Sequence, residues 1–91
     1  EAAGCFAIVL ECIPEDLATD ISTALTIPTI GIGAGAGCDG QVLVLHDILG
    51  WGKTRFAHTF VDVKTEIGRA AADYVGAVKS GDYPKAEHSY P

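Results

Sequence analysis

Apolar and polar positions alternate in blocks along this chain, and the first block organises the rest. Phe6-Ala7-Ile8-Val9-Leu10 is an unbroken apolar run closed by one carboxylate, Glu11. A continuous run of this length suits a strand buried on both faces, as in a parallel sheet. Alternation sets Glu11 on the side of Ala7 and Val9, opposite Ile8 and Leu10. Cys12-Ile13-Pro14 follows, so the carboxylate stands where strand gives way to loop. In α/β folds that end of a strand is where sites are built. The competing reading is a glutamate that has left the sheet and is solvated.

Pro14 suits the first position of a helix, with Glu15 and Asp16 favourable in its first turn. Leu17, Ile21, Ala24 and Leu25 recur at helical spacing and predict one apolar stripe, with Asp20 and Thr23 outside it. Pro28 ends that segment, and Thr29-Ile30-Gly31-Ile32-Gly33 reads as a second strand. Residues 6–33 therefore predict a βαβ unit of a parallel sheet.

Gly33-Ala34-Gly35-Ala36-Gly37 and Cys38-Asp39-Gly40 then make a loop almost without side chains. Its backbone can approach a ligand or another backbone closely, and its N–H groups can cradle an anion. Gln41-Val42-Leu43-Val44-Leu45-His46 reads as a third buried strand, with Val42, Val44 and His46 on one face. A parallel crossover normally takes a dozen or more residues, and far fewer lie between Gly33 and Gln41. The pattern leaves a hairpin and a compressed parallel connection open.

Asp47 to Gly52 reads as a loop. From about Arg55, the positions Phe56, Phe60, Val63, Ile67, Ala71, Tyr74, Val75 and Val78 predict helix over roughly 55–80. Gly68 and Gly76 either allow close packing there or mark a break, and Gly81 is a plausible stop. The tail over 81–91 reads as irregular. The opening Glu1-Ala2-Ala3-Gly4 reads as the last turn of a helix with a glycine stop, which suggests a piece of a longer chain.

Composition narrows the class. The chain has 91 residues, is 48% hydrophobic and 20% charged, and carries a formal charge of −6. It is one small domain at most, and not a disordered chain. No apolar run reaches membrane-spanning length, and the scattered basic residues form no nucleic-acid patch. Cys5, Cys12 and Cys38 form no C-x-x-C pair and read as reduced thiols of an intracellular protein.

Several motifs fail on their own terms. Gly31-Ile32-Gly33-Ala34-Gly35-Ala36 matches a dinucleotide fingerprint in letters, but a strand follows it, and Trp51 stands where the ribose-binding acid belongs. Gly52-Lys53-Thr54 resembles the end of a P-loop, but Asp47 occupies the position of its first glycine. His46 and Asp47 are adjacent and would not converge on a strand, so structural roles are favoured. His58 is expected to be solvated on a helix's polar face, and Glu87-His88 carries no local signal.

Taken in order, several stretches resemble one family. They are Ile8-Val9-Leu10-Glu11-Cys12-Ile13-Pro14, then Ile27-Pro28-Thr29-Ile30-Gly31-Ile32-Gly33-Ala34-Gly35, then Cys38-Asp39-Gly40-Gln41-Val42-Leu43-Val44-Leu45-His46-Asp47. Ser80-Gly81-Asp82-Tyr83-Pro84 and Glu87-His88-Ser89-Tyr90 also fit. The ordered set resembles ketopantoate hydroxymethyltransferase, of pantothenate and coenzyme A biosynthesis, over essentially the whole chain.

The resemblance implies a (β/α)8 TIM barrel of which residues 1–91 are the C-terminal portion, with strands six to eight. It favours the compressed parallel connection. It implies one-carbon transfer from 5,10-methylenetetrahydrofolate to 3-methyl-2-oxobutanoate, giving 2-dehydropantoate, with Mg2+ holding the keto acid. Glu11 matches the family's proton acceptor, for which a partly buried carboxylate is suited. Ile32, Val42 and Val44 match residues lining the substrate's apolar side. The family's metal-binding acids and active-site lysine match nothing in these residues, so the chain alone is expected to be inactive.

The resemblance also implies a homo-oligomer joined partly through the last helix, in the cytoplasm or, for a eukaryote, the mitochondrion. Thr54 stands where the family has a proline, and Lys85-Ala86 where it has a glycine-acid pair, which bears on docking of the last helix. Two alternatives stay in view: a non-catalytic piece acting as an interaction module, and a related barrel enzyme for another 2-oxo acid.

Overall fold

The computed structural model describes residues 1–91. Three parallel strands form one sheet in the order β1 (Ile8–Glu11), β2 (Thr29–Ile32), β3 (Gly40–Gln41). Helix α1 (Glu15–Ala24) joins β1 to β2, completing the expected βαβ unit. Register pairs Ile8 with Thr29, Val9 with Ile30, Leu10 with Gly31 and Glu11 with Ile32. Ile30 and Gly31 pair in turn with Gly40 and Gln41.

The register gives the sheet two unlike faces. Ile8, Leu10, Thr29 and Gly31 share the face that α1 covers, where Leu10, Ala18 and Ala34 form the buried apolar cluster. Ile13, Ile21 and Cys38 pack around it. Val9, Glu11, Ile30 and Ile32 share the other face, which no element of the chain covers, and Val9 is 56% exposed there.

Helix α1 meets the sheet on a stripe rotated from the expected one. Ala18 is fully buried while Leu17 is half exposed. Ala18 and Ser22 lie one turn apart, and their small size lets the helix sit close. From there the Ser22 hydroxyl reaches the Thr29 hydroxyl at 2.7 Å. Leu17 would hold the helix further from the sheet.

The connection from β2 to β3 is parallel and short, which excludes the hairpin. The chain leaves the end of β2 and returns to its start within Gly33–Asp39. Asp39 closes this loop: one of its carboxylate oxygens accepts the Thr29 backbone N–H at 2.8 Å and the Thr29 hydroxyl at 3.1 Å. The Asp39 N–H donates back to that hydroxyl at 3.2 Å. Thr29 spends its one proton on the carboxylate, so Ser22 is the donor in their shared bond.

The third strand is shorter than the apolar run suggests. It ends at Gln41, and Leu45–Ile48 forms a short helix, α2. Leu45 at the end of that run also has helical spacing to Ile48 and Leu49 beyond it, and a short apolar run does not separate the two periods. The Val42 N–H still donates to the Gly31 carbonyl at 3.0 Å, carrying the ladder one bond past β3.

Helix α3 begins at Val63, not near Arg55, and runs unbroken to Ser80. Asp62 caps it by accepting from the Thr65 N–H at 3.1 Å and the Thr65 hydroxyl at 2.7 Å. The preceding segment is held otherwise: the N–H groups of Phe60, Val61 and Val63 bond the carbonyls of Ile48, Ile48 and Leu49. Those bonds satisfy the orphan carbonyls at the end of α2. Phe56 and Phe60 therefore belong to a loop rather than to the helix stripe.

Gly81 stops α3 in a left-handed conformation, with its own N–H bonded to Val78 and that of Asp82 to Ala77. Gly68 and Gly76 neither break the helix nor meet a neighbour, since a Cβ at either would stand in open space. The tail folds back: Tyr83 packs edge-on to Tyr74 at 5.7 Å and tilts over His88 at 5.0 Å. It contains one 3-10 turn, Ala86–His88, where an irregular stretch was expected. The opening Glu1–Gly4 is one turn, closed by the Gly4 N–H on the Glu1 carbonyl at 2.9 Å.

Helix α3 buries no residue, and only 6 of 91 residues in the chain are buried. The radius of gyration, 22.6 Å, is nearly twice the roughly 12 Å of a compact chain this long. No helix is long and apolar enough to cross a membrane.

Candidate functional site

Glu11 closes β1 on the uncovered face, and the register sets Ile32 directly opposite it on β2. Both stand at the C-terminal ends of parallel strands, and their side chains lie on one side of the sheet. Glu11 is exposed, and its carboxylate makes no hydrogen bond or ion pair with the chain. The partial burial expected for it is thus not supplied by these 91 residues, because nothing covers its face of the sheet.

The other two expected lining residues are placed less regularly. Extending the ladder past β3 brings Val42 to the position beside Ile32. Val44 lies off the strand, as the residue preceding α2, with extended backbone. Strand alternation therefore does not set Val42 and Val44 on one face. Both are about half exposed.

Two open clefts flank this end of the sheet. One, of about 750 Å³, is lined by Cys12, Ile13, Pro14, Gly33, Arg55 and Phe56. The other, of about 570 Å³, lies along the Gly/Ala loop and shares Gly33 and Phe56. Glu11, Ile32, Val42 and Val44 line neither. Phe56 lies directly over Gly33, where a Cβ would come within 2.8 Å of its ring. Helical spacing assigns Arg55 and Phe56 to α3 and so hides them as site residues. The signal that releases them is Asp62-x-x-Thr65, a capping pattern that starts the helix later.

The glycines of the loop serve packing against α1. A Cβ on Gly35 would overlap the Glu15 side chain, and one on Gly37 would overlap the Thr19 hydroxyl. The Gln41 side-chain amide ties the loop from the other side, donating to the Gly35 carbonyl at 2.8 Å. No helix follows the G-x-G-x-x-A letters, so the dinucleotide motif has no structural counterpart.

His46 and Asp47 occupy consecutive positions of α2, the first exposed and the second buried, and they do not converge. His58 is exposed in the loop before α3, edge-on to Phe60 at 4.9 Å. No three His, Cys, Asp or Glu side chains come together as a metal site would require. These residues do not fit a magnesium site by themselves.

Known proteins share much of this sequence. The profile of the ketopantoate hydroxymethyltransferase family matches residues 1–86. The chain belongs to that family. It is 54% identical over 93 aligned residues to a 3-methyl-2-oxobutanoate hydroxymethyltransferase of Halalkalibacterium halodurans, covering 99% of this chain and 33% of the relative. Similar matches are the enzymes of that name from Nitratidesulfovibrio vulgaris, 52% identical with 30% of its length covered, and Halobacterium salinarum, 53% with 34%. In both, 99% of this chain is aligned. The chain thus spans about a third of the length of the hydroxymethyltransferases it matches.

Proposed function

We propose that these residues form the C-terminal portion of an enzyme that transfers a hydroxymethyl group to 3-methyl-2-oxobutanoate, giving 2-dehydropantoate. In this reading 5,10-methylenetetrahydrofolate is the one-carbon donor and Mg2+ holds the keto acid. The ligands of that metal and the grip on the substrate carboxylate come from chain outside these residues. The isolated 91-residue chain is then inactive.

One observation carries the reading. Glu11 ends a parallel strand on the one sheet face that lacks any cover, directly across from Ile32. In a (β/α)8 barrel that face points inward and that end forms the mouth, where chemistry is done. We read β1, β2 and β3 as the sixth, seventh and eighth strands of such a barrel. The remaining barrel would cover Val9, Ile30 and Ile32 and shield Glu11 from bulk water. Unpartnered α3 is compatible with contact between subunits of a homo-oligomer.

The chemistry asks for a base beside an acidic C–H. The C3 proton of the keto acid passes to the Glu11 carboxylate, and the electron pair it leaves delocalises onto the keto oxygen. Water replaces both C–N bonds of the donor's methylene bridge, releasing tetrahydrofolate and the one-carbon unit at the oxidation level of formaldehyde. The enolate carbon adds to that carbon, and the carbonyl oxygen takes up a proton to become the new hydroxyl. Ile32 and Val42 would hold the apolar end of the substrate, and Val44 would extend that wall.

The test is Glu11→Gln in the full-length enzyme carrying these residues. Deuterium exchange at substrate C3 should fall by about 10²–10⁴-fold, the usual worth of a positioned general base. Binding of the keto acid should be largely kept. Exchange at the unaltered rate would sink the assignment.

A further inference from the structure

Cys12 is the sole non-glycine residue with a positive φ, at 53°, and it directly follows Glu11. Left-handed backbone is unfavourable for a residue with a Cβ, so its placement at this point calls for a reason. The Cys12 N–H still donates to the Ile32 carbonyl at 2.9 Å. The ladder therefore runs intact through Glu11, and the chain turns only at the next residue.

The turn changes which face the following side chain occupies. In an unbroken strand, Ile13 would lie on the side of Val9 and Glu11. Instead Ile13 packs against Leu10, Ala18 and Ala34, on the face opposite to Glu11. Pro14 follows and leads into α1. The left-handed step thus removes Ile13 from the space beyond the carboxylate and ends β1 at Glu11. The Cys12 side chain is itself exposed, so packing of the thiol does not impose the conformation.

We propose that Cys12 is a positioning residue: it tolerates the left-handed step that the packing of Ile13 imposes, and that step keeps the Glu11 carboxylate at the open strand end, clear of Ile13 and free to face substrate. This rests on Glu11 being the base. A β-branched residue resists the left-handed region, whereas glycine enters it freely and asparagine readily.

The experiment uses position-12 variants of the full-length enzyme, read by C3 deuterium exchange, kcat and KM. Cys12→Gly should keep kcat within about twofold, while Cys12→Val should lose about 100-fold in kcat with little change in KM, as for a misplaced catalytic group. Should Cys12→Val fail to fold, Cys12→Thr, also β-branched, takes its place in a series with Cys12→Gly and Cys12→Ala. Exchange should stay near the wild-type rate in Cys12→Gly and Cys12→Ala, which resist left-handed backbone no more than cysteine does, and fall in Cys12→Thr. Full activity in Cys12→Val, or a flat series, would overturn the proposal. So would equal loss in Cys12→Gly and Cys12→Val, which would assign the effect to the thiol. Glu11→Gln separates the two levels. If it exchanges normally, the base assignment fails and this proposal with it. If it is inactive while Cys12→Val exchanges normally, only the positioning role fails.

Discussion

The Asp39 carboxylate accepts both the backbone N–H and the hydroxyl of Thr29, at 2.8 and 3.1 Å, and Thr29 is fully buried. This pair fastens the start of β3 to the start of β2 and makes a seven-residue return from Gly33 to Gln41 workable as a parallel connection.

Asp39→Ala should therefore leave a buried N–H without a partner. The loss should be about 1–3 kcal/mol, measured as a lowered urea midpoint of the full-length enzyme. Asp39→Asn keeps an acceptor oxygen and should cost less. Equal midpoints for wild type and Asp39→Ala would show that the pair does not hold the connection.

Gly35 and Gly40 should respond oppositely to alanine. Gly35 has φ of +79° and would drive a Cβ into Glu15, whereas a Cβ on Gly40 meets nothing within 4 Å. Gly35→Ala should cost at least about 2 kcal/mol from left-handed strain and overpacking together. Gly40→Ala should be close to neutral. Comparable thermal shifts for the two would contradict close packing of the loop on α1.

Gly68 and Gly76 both face open space within α3. Replacing either by alanine should raise the helicity of the 91-residue chain, each by about 0.5–1 kcal/mol of helix stability. Circular dichroism reads this directly. A gain in the isolated chain with a loss of assembly in the full-length enzyme would show that a neighbour approaches the helix at that glycine.

Asp62 has its pKa lowered, first by the hydrogen bond from the Thr65 side chain and second by that from the Thr65 backbone. A depressed folded-state value stabilises the cap above the unfolded pKa, and that contribution is lost as pH falls through the folded value. Helix α3 should therefore fray at its first turn as pH falls below the ordinary aspartate range and through the lowered folded value, seen as faster amide exchange at Thr65. Asp62→Asn should remove this pH dependence while keeping a cap. The same acid profile in Asp62→Asn would place the titrating group elsewhere.

The local period of the chain determined a good part of this protein. The strand within the run from Phe6 to Leu10, the helix after Pro14 and the strand after Pro28 were legible because each is short, punctuated and locally consistent, although β1 starts only at Ile8, leaves Phe6 exposed and is covered on one face alone. Glu11 was legible as a strand-end carboxylate for the same reason, and the ordered motifs carried the family. Tertiary structure decided the rest. The apolar run Val42–Leu45 fits two periods, because Leu45 also has helical spacing to Ile48 and Leu49, and α2 took the helical one once β3 had ended at Gln41. Phe56 has helical spacing to Phe60 and Val63, yet the Asp62 cap and the open carbonyls of α2 hold that segment as a loop. Which face of α1 packs was set by how closely Ala18 and Ser22 let it approach, a matter of contact distance and not of period. The left-handed step at Cys12 left no trace in the residue pattern, because cysteine has no preference for it. It exists because Ile13 reaches the core by turning away from Glu11, and only the packed sheet supplies that pull.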